Sequence, residues 1–344
     1  MKVLQIGVGL IGQERISSLL QISKDYSLDI DIIAVDTNKK LIAEAKNKFN
    51  IDIYADLSKV LKEGFDWIFI STPHSVAAKL ALEVFKYQPR NILIEKPLGR
   101  NLKECDQIIQ CKPKSVNLHV GLNYRFYQGI NMLLNHSRKK LFGEIISVNM
   151  ILGHGNSPGM EKSWKLDPVI CGGGCLIDPG VHLLDLVLLL SSEDISVMGG
   201  SKWEGFWNTG IEEEAHLILK SSNGIIFNIQ TSLNRWKSHF SIQVNGTNGY
   251  GVVEGRGRSY GNQSYITGKR WGWKSATTQL DSEVSHLDSY NGDDSFYECM
   301  VALLELPSWK FPNSQIYPCD HIAGRNVMKL LEKCRKELKL NDSS

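Results

Sequence analysis

The 344-residue chain carries 39 Lys and Arg against 37 Asp and Glu, with 42% hydrophobic and 22% charged residues. At roughly 100 to 200 residues per domain this is two domains, each apolar enough to bury a core unaided. The near-neutral balance, with no basic tract in either half, argues against nucleic acid or an anionic membrane surface as a partner. The longest apolar stretch, Val181 to Leu190, is interrupted by His182 and Asp185 and is about half the ~20 residues a bilayer span needs. The start lacks a signal peptide's apolar run, so the chain is expected to begin at Met1 and stay cytoplasmic. Seven cysteines without a CxxC pair read as reduced thiols.

Residues 2–6 form a short β-forming run, followed by Gly7-Val8-Gly9-Leu10-Ile11-Gly12 and a helical stretch. Strand, glycine turn, helix is the context in which GxGxxG binds a dinucleotide. Gly7 permits the tight turn, Gly9 lets the backbone approach a pyrophosphate, and Gly12 lets the helix pack close to the strand. The helix N-terminus, with the turn of Leu10 and Ile11, offers free N–H groups to the phosphates. A second strand over 30–35 ends in Asp36, placed 24 residues after Gly12 and near the ~20 expected for the acid that binds the adenosine ribose. An acid there repels a 2'-phosphate, which favours NAD over NADP.

Helix 39–49, a short helix 57–62, strand 66–70, helix 76–86 and strand 91–95 continue the alternation and predict a doubly wound parallel sheet. Ligands bind such sheets at the carboxyl ends of the strands. Besides the glycine turn and Asp36, those ends carry Ser71, Thr72, Pro73 and His74, then Glu95 and Lys96. Pro97 holds Lys96 extended, its side chain aimed into the crevice. A cationic nicotinamide would depress that lysine's pKa and suit it to proton relay. An ordinary strand-to-loop junction is the competing reading.

Strand 116–120 and the run Gly121-Leu122-Asn123-Tyr124-Arg125-Phe126 come next, and there the grammar changes. Helical text over 128–140 gives way to strand-like runs at 144–152, 214–220, 224–232, 238–244 and 250–253. Ser222-Asn223-Gly224, Asn245-Gly246 and Asn248-Gly249 mark hairpins between them. The second half thus reads as a mainly antiparallel sheet with helices on one face, residues 255–295 as long loops, and 320–338 as a closing helix. Boundaries follow at 1–121 and 122–344, the last helix being able to pack back on the first domain.

The densest chemistry lies in Gly172-Gly173-Gly174-Cys175-Leu176-Ile177-Asp178-Pro179-Gly180-Val181-His182-Leu183-Leu184-Asp185. Asp178 then Pro179 reads as an N-cap and first helical residue. That places His182 one turn along the same side and Asp185 three residues further. A satisfied core histidine and a simple cap compete with a catalytic pair, and the three glycines favour close approach of a flat ligand. A zinc site on Cys171, Cys175 and His182 lacks a second ligand pair, and no metal is expected.

In their order, Gly7 to Gly12, Glu95-Lys96-Pro97-Leu98, Gly121 to Phe126, Leu141-Phe142-Gly143-Glu144-Ile145, Trp164, and Gly173-Gly174 through Asp178, Gly180, His182 and Asp185 resemble the glucose-fructose oxidoreductase, inositol dehydrogenase and rhizopine catabolism (Gfo/Idh/MocA) family. The resemblance covers roughly residues 2 to 250 and implies a Rossmann domain, an α+β domain with a large antiparallel sheet used for homodimers or homotetramers, and an active site between them. It implies pyridine-nucleotide redox chemistry on a sugar, a polyol or cyclitol, or a nucleotide sugar. It further implies that Lys96 is the active-site lysine, often followed by a cis bond to Pro97, that His182 is the acid/base and that Asp178 is its partner. Asn123, Tyr124, Arg125 and Trp164 would line the substrate pocket, Arg125 as much through structural pairing. The chain departs from the family pattern at His74 and Ala77, where many members carry Asn and His. Cleavage of a glycoside by transient oxidation and elimination is a rival activity, and a cofactor-binding sensor without turnover is a rival of another class.

Overall fold

The computed structural model describes residues 1–191, 194–270, 282–286, 294–308, 310–311 and 314–340, the 282–286 strand by its backbone alone. Two compact units form: 1–122 with 296–307 and 318–328, and 123–295 with 308–317 and 329–344.

In the first unit the strands are β1 (Lys2–Ile6), β2 (Asp31–Val35), β3 (Asp52–Tyr54), β4 (Trp67–Ile70), β5 (Asn91–Glu95) and β6 (Asn117–Gly121), with helices α1 (Leu10–Asp25), α2 (Lys39–Lys48), α3 (His74–Phe85) and α4 (Leu102–Cys111) between them. Residues 57–59 and 61–63 are two 3-10 turns in place of the expected helix. β1, β2, β4 and β5 are almost wholly buried, as expected where helices cover both faces of a parallel sheet. The order is β15-β6-β5-β4-β1-β2-β3, where β15 (Cys319–Asp320) pairs antiparallel with β6 and the other neighbours are parallel. The chain runs outward from β1 to β3 and then restarts at β4 on the other side of β1. The glycine turn after β1 therefore sits at the switch point where such sheets hold ligands.

Behind this edge Arg15 of α1 is fully buried, with its Nε donating to Glu95 Oε1 at 2.7 Å and its guanidinium 4.8 Å from the Phe296 ring. Gly121 lies directly against the Glu95 carboxylate, where a β-carbon would collide.

The second unit holds β7 (Ile145–Gly153), β8 (Ile195–Trp203), β9 (Glu214–Ser221), β10 (Ile226–Ser232), β11 (His239–Gly246), β12 (Gly249–Glu254), β13 (Ser264–Lys269) and β14 (Ser282–His286), in the order β14-β13-β12-β11-β7-β10-β9-β8. All pairs are antiparallel except β7 with β10. Burial alternates residue by residue along β9, β11 and β12, so one face builds the core and the other is more open. The helices are α5 (Gln128–Arg138), α6 (Pro168–Cys171) and α7 (Val181–Ser191), while α8 (Asp294–Leu303) and α9 (His321–Glu337) have residues in both units.

Two expectations need correction. Residues 255–295 are not simply loops, because β13 and β14 extend the sheet there; 271–281 and 287–293 lie outside the described residues. Asp178 and Pro179 do not start the helix. The amides of Asp178 and Gly180 close turns on the Gly174 and Cys175 carbonyls, the Asp178–Pro179 bond is cis, and α7 begins at Val181. Among the described residues no helix is long and apolar enough to cross a membrane.

The Arg15–Glu95 pair is asymmetric, since the arginine side chain is 0% exposed and the glutamate 14%. Glu95→Gln leaves a dry cation without its counter-charge and is expected to cost ~3–5 kcal/mol, whereas Arg15→Met leaves a carboxylate that water reaches and costs less. Urea denaturation of the two variants checks that ranking; equal losses would contradict it.

Candidate active site

At the switch point, each motif glycine meets a different constraint. Gly7 has φ of 89°, a conformation L side chains rarely adopt, and a β-carbon there would strike the Ser71 carbonyl. A β-carbon at Gly12 would strike the Gly7 carbonyl, so α1 packs on β1 at backbone distance. Gly9 has nothing within 4 Å of the position its β-carbon would take. It is also the N-cap of α1 and gives no side-chain cap, so the first-turn amides from Leu10, Ile11 and Gly12 remain donors for an anion. Leu10 is 67% exposed at this opening.

Asp36 stands at the end of β2 with both oxygens held: Oδ2 accepts from the Val8 amide and Oδ1 from the Asn38 amide, each at 2.8 Å. A carboxylate held so keeps lone pairs for a further donor pair. After β4, the Ser71 and Thr72 hydroxyl oxygens are buried without a hydrogen-bond partner among the described residues, Pro73 precedes α3, and buried His74 opens it. Open glycine, uncapped helix, oriented acid and orphaned hydroxyls together fit a dinucleotide. Glu95 is engaged by Arg15, and half-buried Lys96 follows it, joined to Pro97 by a cis bond.

In the second unit the turn Asn123–Phe126 is buried throughout. Arg125 makes a bidentate pair with Asp185 of α7, Nε to Oδ2 at 3.0 Å and Nη2 to Oδ1, while Nη1 donates to the Tyr317 carbonyl at 2.8 Å. Burial pushes the Asp185 carboxyl up, and the adjacent guanidinium opposes that shift. Asn123 Nδ2 donates to Ser295 Oγ at 2.6 Å. These contacts make Asn123 and Arg125 supports of the turn, for Arg125 through the structural pairing that was expected beside its place at the pocket.

Tyr124 lies flat on His182, with ring centroids 3.8 Å apart and planes 13° from parallel. His182 is 4% exposed, so its ring has little room to turn. Tyr124 also meets the Arg256 guanidinium at 5.2 Å, which in turn lies 3.8 Å from the Tyr260 ring and donates to Tyr127 Oη at 2.8 Å. Asp178 faces Lys165 at 3.5 Å, and that carboxylate raises the lysine's pKa. Half-buried Trp164 sits one residue before Lys165 in a short 3-10 turn.

The three glycines serve the fold here. A β-carbon on Gly174 would collide with the Glu212 backbone, and one on Gly173 with Arg335, which donates to the Gly172 carbonyl. Gly174 admits a neighbouring strand connection and Gly173 a helix side chain. Cys171 and Cys175 are buried thiols. The family resemblance pointed to Tyr124 and the spacing to His182, but neither pointed to their stack, nor to Lys165 and Arg256 as neighbours, because no local pattern announces contacts so distant along the chain.

Residues 1–123 match the family described as the oxidoreductase family, NAD-binding Rossmann fold, and residues 136–251 match the GFO/IDH/MocA C-terminal domain. The chain belongs to the Gfo/Idh/MocA family of oxidoreductases. Its first unit is that family's NAD-binding domain. Levoglucosan dehydrogenase of Pseudarthrobacter phenanthrenivorans is 21% identical over 252 residues, which span 65% of this chain and 64% of that one, just under two thirds of the relative's length. A structure of levoglucosan dehydrogenase with NADH and levoglucosan superposes with a TM-score of 0.80 at 16% identity, covering 98% of this chain and 97% of that one. UDP-N-acetylglucosamine 3-dehydrogenase from Acidithiobacillus ferrooxidans gives 0.75 at 18% identity, with the same coverage. At such identities the superpositions establish the shared fold.

Gly9 and Gly12 separate binding from folding. Gly9→Ala is expected to change stability by less than about 1 kcal/mol yet weaken NAD by roughly 10-fold or more. Gly12→Ala is expected to destabilise by ~1–3 kcal/mol through overpacking. Calorimetric titration with NAD beside thermal melts checks both; unchanged NAD affinity in Gly9→Ala would contradict the pyrophosphate role.

Proposed function

We propose that the protein is an NAD-dependent dehydrogenase that reversibly oxidises a secondary alcohol of a sugar, cyclitol or nucleotide sugar. The observation that carries this is the buried imidazole of His182, clamped against Tyr124 in a chain whose other unit is an NAD-binding domain. The relatives named above, a levoglucosan dehydrogenase and a UDP-N-acetylglucosamine 3-dehydrogenase, support a sugar substrate.

Gly7, Gly9, Gly12, Asp36, Ser71, Thr72, Pro73 and His74 would hold the cofactor, with Glu95 fixing the strand end beside Lys96. When bound, the nicotinamide supplies the hydride acceptor, which is the cofactor's own chemistry. His182 acts as general base on the substrate hydroxyl, and the Tyr124 stack fixes the plane in which its nitrogens point. Asp178 orients that imidazole or the hydroxyl, with Lys165 holding the carboxylate in place. Lys96 stabilises the alkoxide that develops as the proton leaves. Tyr124 and Trp164 contribute the substrate surface.

His182→Asn and Lys96→Met are each expected to lower kcat by about 10²- to 10⁴-fold while NAD binding survives. NADH formation across a panel of polyols, sugars and nucleotide sugars reads this out. Near-normal turnover in either variant would refute the roles, and sugar release without NADH would identify glycoside cleavage instead.

The second sheet is proposed as the surface of a homodimer or homotetramer. Its open face exposes Trp203, Ile218 and Ile226, each 43% exposed or more, an apolar surface that a monomer rarely presents to water. Light scattering is expected to show a dimer or tetramer, which Ile218→Lys with Ile226→Glu breaks; a monomeric wild-type chain would contradict it.

A further inference from the structure

The second unit contains a cleft of about 670 Å³ between the β10–β11 connection and the loop after β12. Arg235, Trp236 and Lys237 line it from the first, Tyr260 and Asn262 from the second. Two carboxylates also face it, and both are occupied. Glu254 accepts from Ser241 Oγ at 2.7 Å and lies 3.6 Å from His239 Nε2, while Glu214 accepts from Gln230 Nε2 at 2.8 Å and lies 3.2 Å from His216 Nε2. Arg235 and Lys237, by contrast, form no ion pair among the described residues. Two adjacent cations without counter-charges suit an anion with more than one charge.

The remaining lining says what the anion is attached to. Trp236 is 66% exposed beside the cations, braced by Phe206 at 4.8 Å, and offers an open aromatic face. The volume falls in the range of about 300–1,000 Å³ typical of organic-ligand clefts and far exceeds the needs of one phosphate. Tyr260 on the opposite wall touches Arg256 at 3.8 Å, Arg256 lies 5.2 Å from Tyr124, and Tyr124 stacks on His182. The cleft wall is thus three contacts from the proposed base.

From this we infer that the cleft binds the diphosphate and nucleoside of a nucleoside-diphosphate sugar, Arg235 and Lys237 taking the phosphates and Trp236 stacking on the base. This rests on the dehydrogenase reading and narrows its substrate to the nucleotide-sugar class. Binding at the cleft stabilises the transition state only through the sugar it positions, so removing the cations weakens binding without altering the chemistry at His182.

The test is calorimetric titration of the full chain saturated with NAD, so that nucleotides do not enter the first unit. UDP, GDP and dTDP are compared with inorganic pyrophosphate and methyl glucoside, in wild type, in Arg235→Gln with Lys237→Gln, and in Trp236→Ala. At least one nucleoside diphosphate is expected to bind more tightly than either comparator, with affinity falling as salt rises. The double variant should weaken it by roughly 10-fold or more, and Trp236→Ala should weaken the nucleotide but not pyrophosphate. The inference fails if no nucleoside diphosphate outbinds methyl glucoside, if the double variant binds as wild type while its melting curve and NAD affinity are unchanged, or if pyrophosphate binds as well as every nucleotide. Nucleotide binding without NADH formation from any corresponding sugar would uphold the cleft and overturn the dehydrogenase reading, so the two claims fail separately.

Discussion

The buried ion pair of Arg125 with Asp185 is the constraint on which the candidate catalytic geometry depends. It ties the turn Asn123–Phe126 to α7, and each partner sits close in sequence to a residue of the Tyr124–His182 stack. Replacing such a pair by apolar groups can be neutral, but removing one member leaves an uncompensated charge at a cost of about 3–5 kcal/mol. Its value here is orientation. With both guanidinium edges engaged, the turn cannot rotate on the helix, and the phenol ring stays flat on the imidazole.

The first unit repeats the device. Arg15 of α1 reaches Glu95 at the end of β5, which braces the strand immediately before Lys96 and the helix immediately after the glycine turn. In each unit, then, a buried arginine stands behind a proposed catalytic side chain. Function and packing meet at adjacent residues: Glu95 and Lys96 in one unit, Tyr124 and Arg125 in the other. A general base and an alkoxide-stabilising cation both require fixed positions, because rate falls steeply when reacting groups are misplaced by as little as an ångström.

Much of the fold was legible because its signals are local. The buried runs of β1, β2, β4 and β5 and the glycine turn announce a parallel dinucleotide-binding sheet, and the alternation of β9 to β12 with Asn-Gly turns announces hairpins. Elements with weak local signals were not foreseen. β8 is largely exposed and carries Gly199 and Gly200, β3 has three residues and β15 two, and α4 is held by an Asn101 cap and one apolar stripe. The helix expected at Asp178 failed because the amides there close turns onto Gly174 and Cys175. Candidate residues within motifs were found, but their partners were not. Arg15 for Glu95, Lys165 for Asp178 and Arg256 beside Tyr124 are tertiary contacts, and Arg256 lies among tyrosine rings far from it in the chain.

The most direct test of the central claim, that the clamped imidazole of His182 takes the substrate proton, is the pH dependence of NADH formation in a single turnover. Once a turned-over sugar is in hand, wild type is predicted to lose rate as pH falls and the base becomes protonated, and His182→Asn to be slow with that acidic limb gone. The same acidic limb in His182→Asn would place the base elsewhere and contradict the account.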